Sequence, residues 1–351
     1  MSTHIHNILA AILCLLVFNT LVVTAQTDYL QPLQMNQALD PPQNILSSKS
    51  LVLISVPADA PYGEWKEKAA ELQTYFAEQG IDAIAYLNVD RHWAIPGLQP
   101  TLPKLLTNRK ISNLIFLMVA GEGQESIIGM GPYNGKPSYY DKGAIFWTRQ
   151  FTDIKGVFDE LTDRFKTGAF ARKNLLVNES PEFFNISKPA YAANYPSFPP
   201  NLQLKKIGIP VLKPLGNTTG AHLLSIEYYR EPGKFTKAIN DRNASLETLL
   251  ADSSLTMLRV DMDETTEALL RRDGYTHLLY YVESDSEYLY SLFRYTNREE
   301  VESKKLVKFF LKDLSNRNIF LGRSWDAASD WQAALDSFLA QMHKELPSKG
   351  G

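Results

Sequence analysis

The sequence predicts an α/β protein: two tandem, duplicated small α/β domains behind an N-terminal signal peptide. Three observations carry that prediction. Residues 145–151 (Ile-Phe-Trp-Thr-Arg-Gln-Phe) and 319–325 (Ile-Phe-Leu-Gly-Arg-Ser-Trp) share a pattern in which an aromatic follows an arginine by two positions. Each stretch leads into apolar residues spaced four, three and four apart. These are Ile154, Phe158, Leu161 and Phe165, then Trp331, Leu335, Phe338 and Met342, and such spacing lines one face of a helix. The offset between matching positions is also nearly constant: 172 from Leu51 to Leu223, 171 from Val89 to Val260 and 174 from Ile145 to Ile319.

The chain opens with an apolar run, Ile8 to Ala25, that ends Val-Thr-Ala before Gln26. This reads as a secretory signal peptide over 1–25, although no Lys or Arg precedes the run and an uncleaved anchor is the other reading. The single cysteine, Cys14, lies inside it, so the mature chain is expected to be cysteine-free. That excludes disulfides, a cysteine nucleophile and thiolate metal sites from the mature protein, and it suits a periplasm or bacterial cell surface. Residues 26–50 read as a flexible lead-in.

The first domain, 51–178, begins with the continuous apolar run Leu51 to Val56, suited to a strand buried on both faces. Trp65, Ala69, Leu72 and Phe76 then mark a helix ended by Gly80. Ile81 to Val89 and Asn113 to Val119 read as further strands, and a glycine-rich stretch leads to the strand at 145–149 and a closing helix. The second domain, 222–345, is expected to repeat the order. It would have a strand at Leu223–Tyr229, a helix marked by Phe235, Ile239, Leu246 and Leu250, and a strand at Leu255–Val260. A helix at Thr265–Arg272 closed by Gly274, strands at His277–Val282 and Tyr288–Tyr295, an extra helix near Glu300–Leu314 and the closing motif would follow. Each unit thus reads β-α-β-α-β followed by antiparallel edge strands and a closing helix. Between the units, 179–221 carries seven prolines and five aromatics and is expected to be an extended strap. Residues 346–351 form a disordered tail.

The element order resembles several common small α/β folds, thioredoxin-like ones included. No Cys-x-x-Cys is present, so no redox function comes with that resemblance.

Composition bounds the function. A net charge of −3 without any basic run gives no case for nucleic acid, and no second apolar stretch would span a membrane in the mature chain. No P-loop, Gly-x-Gly-x-x-Gly, Gly-x-Ser-x-Gly or His-Glu-x-x-His motif occurs, and no cofactor is expected.

Ligands of open α/β sheets bind beyond the carboxyl ends of the parallel strands, so those ends hold the candidates. Asp90, His92 and Glu122 stand there in the first unit, and Asp261 and Glu283 in the second, as potential acid–base residues. Asp261, Asp263 and Glu264 would supply hard oxygen ligands to a divalent metal. The plainer reading, and the stronger, is that such carboxylates cap helices, which needs only one short polar side chain.

Arg149 and Arg323 would either grip an anion or stack on a neighbouring aromatic to fix the strand-to-helix turn; their repetition favours the turn. Tyr281 and Tyr290 would present an aromatic face to an envelope protein or a glycan. The favoured function is an exported, periplasmic or cell-surface, non-catalytic binding or scaffold protein. The alternative is a hydrolase or metal-dependent enzyme using carboxylates at the strand ends. A third reading, degenerate enzyme domains, would show as a cleft filled by large side chains from the strap.

Overall fold

A computed structural model of the chain describes residues 28–57, 60–61, 63–92, 101–136, 138–174, 177–183, 193–212, 223–251, 254–262, 264–294 and 304–345. It holds two mixed six-stranded sheets with helices. The first contains β1 (Asn36–Gln37), β2 (Lys49–Ser55), β3 (Asp82–Asn88), β4 (Ile111–Met118), β5 (Ser126–Pro132) and β6 (Ile145–Phe151), in the spatial order β1-β6-β5-β4-β2-β3. The second contains β7 (Asn194–Tyr195), β8 (Lys206–Pro210), β9 (Thr256–Val260), β10 (His277–Asp285), β11 (Lys305–Asp313) and β12 (Ile319–Phe320), in the order β7-β12-β11-β10-β8-β9. Both sheets run through the same orientations. Three parallel strands (β3, β2, β4; β9, β8, β10) are followed by two antiparallel neighbours, and a two-residue strand pairs parallel at the far edge.

The unbroken apolar run in β2 serves both faces of its sheet. Leu51 and Leu53 point into one core with Ala85, Leu87, Leu114 and Phe116. Val52 and Ile54 enter the other, beneath α1 (Glu64–Gln79) and α4 (Ile154–Thr167). In α1 the residues Trp65, Ala69, Leu72 and Phe76 are buried as their spacing requires, and Gly80 takes the left-handed conformation at φ 84° while Ile81 N–H bonds back to Phe76 O at 2.9 Å. Gly129 and Gly131 in β5 leave room for the rings of Phe116 and Phe146, which a Cβ at either position would overlap.

The remaining helices are α2 (Val89–His92), α3 (Thr101–Asn108), α5 (Ile226–Arg230), α6 (Pro232–Thr248), α7 (Glu267–Arg272), α8 (Ser286–Phe293) and α9 (Trp331–Glu345). In the second sheet, α6 and α9 cover one face with Leu246, Trp331, Leu335 and Phe338, and α7 and α8 cover the other with Leu270, Leu289 and Phe293.

Three expectations for the second unit are corrected. Residues 223–229 are not a strand; they lead into α5, and the first strand of that sheet is instead β8, inside the expected strap. The Lys-Ile-Gly-Ile-Pro sequence of β8 is too short and too rich in Gly and Pro to announce itself. Nor are the described residues 288–294 of the next expected strand in strand conformation. Leu289, Leu292 and Phe293 recur at the three- and four-residue steps of helix α8. The helix expected near 300–314 is β11, where Leu306 to Leu311 are buried without interruption, as a two-faced strand demands.

The expected signal peptide and the tail lie outside the described residues. Among the described residues, no helix is long and apolar enough to cross a membrane.

Candidate functional site

The carboxyl ends of β2 and β3 meet a segment of the chain far removed in sequence. Leu223, Leu224 and Ile226 are buried in the core of the first sheet, and α5 follows them across the strand ends. Full burial of three such side chains is worth roughly 1.5–3 kcal/mol each. The backbone N–H of Ile226 donates to Ser55 Oγ at 2.8 Å, and Ser55 Oγ in turn donates to Asp90 Oδ1 at 2.9 Å. Ser225 Oγ donates to the same oxygen at 3.0 Å, and Val56 N–H donates to Oδ2 at 3.0 Å. Asp90 is therefore not a helix cap. It is the hub that joins two strand ends of the first unit to α5.

Burial pushes the Asp90 carboxyl up to about 6, against the pull of the Val56, Ser55 and Ser225 hydrogen bonds, and nearby Glu227 pushes it the same way.

From Asp90 the polar contacts continue into the second unit. Glu227 of α5 lies 3.9 Å from Lys305, at the start of β11, and Lys305 is 3.2 Å from Glu283. Glu283 also receives Arg242 of α6 at 3.0 Å, and the Arg242 guanidinium lies over the Trp331 ring, 5.5 Å from its centroid. Burial alone would raise the Glu283 pKa, but Lys305 and Arg242 outweigh it and hold the carboxylate below its usual range. Burial would lower Lys305, and Glu283 and Glu227 reverse that. The seam thus keeps Glu283 ionised, while burial pushes the Asp90 carboxyl up to about 6.

The other candidates are dispersed. Glu122 and Glu264 are exposed, and Asp261 accepts from Glu264 N–H and Thr265 N–H through its backbone oxygen. The helix that follows, α7, is capped by Thr266, whose side chain accepts from Leu269 N–H. Asp263 and the His92 side chain lie outside the described residues. Among the described residues, no group of three His, Cys, Asp or Glu is placed to hold a metal ion.

Arg149 forms a bidentate pair with Glu160 and lies over the ring of Trp147, 4.9 Å from its centroid, while Arg323 pairs with Glu345 at 3.0 Å. Tyr281 packs edge-on against Trp331, and Tyr290 lies against Trp325 within α8 rather than on a strand.

One buried pair is not among the candidates that the sequence offers. Lys308 Nζ lies 2.5 Å from Asp326 Oδ1, with both side chains almost wholly enclosed, and also donates to Leu321 O and Phe309 O. Burial lowers the lysine pKa and raises that of the aspartate, which drives the pair toward its neutral form. The signal was present: a single lysine inside the apolar run Leu306 to Leu311. Its contacts tie β11 to the segment before α9.

Compared with family models, curated proteins and solved structures, this chain matches none.

Proposed function

We propose that the chain is an exported, non-catalytic binding or scaffold protein built by duplication of one α/β unit. The observation that carries this reading is the occupation of the first sheet's strand ends by the chain's own α5, with Asp90 consumed in holding it. In an open α/β sheet that crevice is where a substrate would enter. Glu283 is spent in the same way on Arg242 and Lys305. The shared strand order of the two sheets supports duplication, with counterparts at β2 and β8, β3 and β9, β4 and β10, β5 and β11, and β6 and β12. Export to a periplasm or cell surface rests on the apolar run 8–25 and the cysteine-free remainder.

A second reading, a hydrolase, is favoured by one observation. Asp90 is buried at the strand ends, and that burial pushes its carboxyl up to about 6, where it can serve as an acid or base close to neutral pH. The deciding experiment incubates the purified protein with chromogenic esters, phosphoesters, glycosides and peptides between pH 5 and 8. The binding reading expects no turnover. Turnover lost in Asp90→Asn would replace it with the hydrolase.

A further inference from the structure

At the opposite end of the first sheet, the face covered by α1 and α4 runs out to the sheet's rim. Asn113, Met130 and Trp147 are buried there, and the same face continues outward to exposed Pro132 and Ile145. The register places them side by side: Asn113 is opposite Pro132, and Met130 is opposite Trp147. The segment 38–44 lies beside this patch and lines with it an open pocket of about 330 Å³. That lies at the small end of the range for small-molecule sites.

The chemistry of the lining narrows what would fill it. Among the described residues, Asp40 is the one charged side chain lining the pocket, and Arg164 engages it. An anion would therefore find no cation to pair with, and a cation would find its carboxylate taken. The remaining polar groups are neutral: Gln43, Asn44, Ser112 and Asn113. The Asn113 amide donates to Ser48 Oγ at 2.7 Å, while its oxygen accepts from no described residue. Asn44 Nδ2 meets Ser112 Oγ only at 3.5 Å, and the buried indole N–H of Trp147 has no partner among the described residues. Buried polar groups without partners are uncommon and call for an explanation in each case. Open donors and acceptors on amide side chains, set among the aliphatic surfaces of Pro42, Pro132 and Ile145, match the alternating hydroxyl and C–H surfaces of a sugar.

We infer that this pocket is a binding site for a neutral sugar of mono- or disaccharide size, held by Asn44, Asn113 and Gln43. The inference rests on the binding reading above, yet the two fail separately.

The test is calorimetric titration of the full chain with glucose, N-acetylglucosamine and maltose, with glucose 6-phosphate as the charged control. At least one neutral sugar is expected to bind with a Kd of about 1 mM or tighter. Gln43→Ala and Asn44→Ala, both at exposed positions where folding is not at stake, are each expected to weaken it about tenfold, the scale of one lost hydrogen bond. Asn113→Asp keeps the shape of the buried side chain and is expected to weaken it further. No binding at tens of millimolar, tighter binding of the phosphorylated sugar, or affinity unmoved by both rim substitutions would overturn the assignment. A sugar that binds and is then converted to product would leave the site standing and sink the non-catalytic reading.

Discussion

Ile226 gives its backbone N–H to the side chain of Ser55, a residue 171 positions earlier in the chain. Ser55 passes a proton donor on to Asp90, so one hydroxyl couples the covering segment to the strand end beneath it.

Ser55→Ala leaves the buried Ile226 N–H unpaired and takes one donor from Asp90. The expected cost is about 1–3 kcal/mol. Chymotrypsin and trypsin should also cut faster at Tyr228, Tyr229 and Arg230. A urea midpoint and a cleavage rate both equal to wild type would show that the hydroxyl holds nothing.

Asp90 has a pH signature of definite sign. Its pKa stands near 6 in the folded protein against an ordinary 3.8, so folding favours the protonated form. The stability it contributes is fully present below about pH 3.8 and lost as pH rises through about 6. Asp90→Asn removes the titration and sets an amide donor against Val56 N–H. The variant should be less stable, with a shallower fall of Tm between pH 4 and 7. Parallel Tm profiles for the two proteins would contradict this.

The Lys308–Asp326 pair should obey the asymmetry of buried ions. Asp326→Asn or Lys308→Met alone leaves one enclosed group without its partner, at an expected cost of about 3–5 kcal/mol. Lys308→Met combined with Asp326→Leu should recover most of that loss. A double-mutant cycle with additive single losses would rule out the coupling.

Two glycines should respond in opposite directions. Gly129→Ala drives a methyl group into the Phe116 ring and should cost about 1–3 kcal/mol. Gly156→Ala in α4 meets open space and should gain up to about 1 kcal/mol. Denaturant midpoints for the two variants on either side of wild type would confirm the pair.

Legibility followed the range of the forces involved. The core of β2 and the buried stripe of α1 were plain in Leu51–Val56 and in the Trp65, Ala69, Leu72, Phe76 spacing, because both patterns record local geometry. In the second unit the sequence pattern suggests a strand where α8 forms and a helix where β11 forms. A run such as Leu306–Leu311 suits a buried strand and a buried helix equally, and only its pairing with β10 decides. Asp90 is legible as a strand-end carboxylate, but its partner Ser225 lies 135 residues away, and no local pattern announces such a contact. The Arg149–Glu160 pair, by contrast, links neighbouring elements across 11 residues, although the arginine lies over Trp147 and not over Phe151, the aromatic that its sequence pattern marks.

The path of the chain has one more consequence. After the first sheet it supplies β7 and β8 to the second, returns to lay Leu223–Arg230 on the first, and then crosses again to build α6. The two units are laced together like a seam sewn with a backstitch. No single cut yields two self-sufficient halves: severing before residue 223 strips the first core of its cover, and severing after 230 leaves β7 and β8 on the wrong side. The molecule should therefore melt in one transition, and neither unit expressed alone should reproduce its half of the heat.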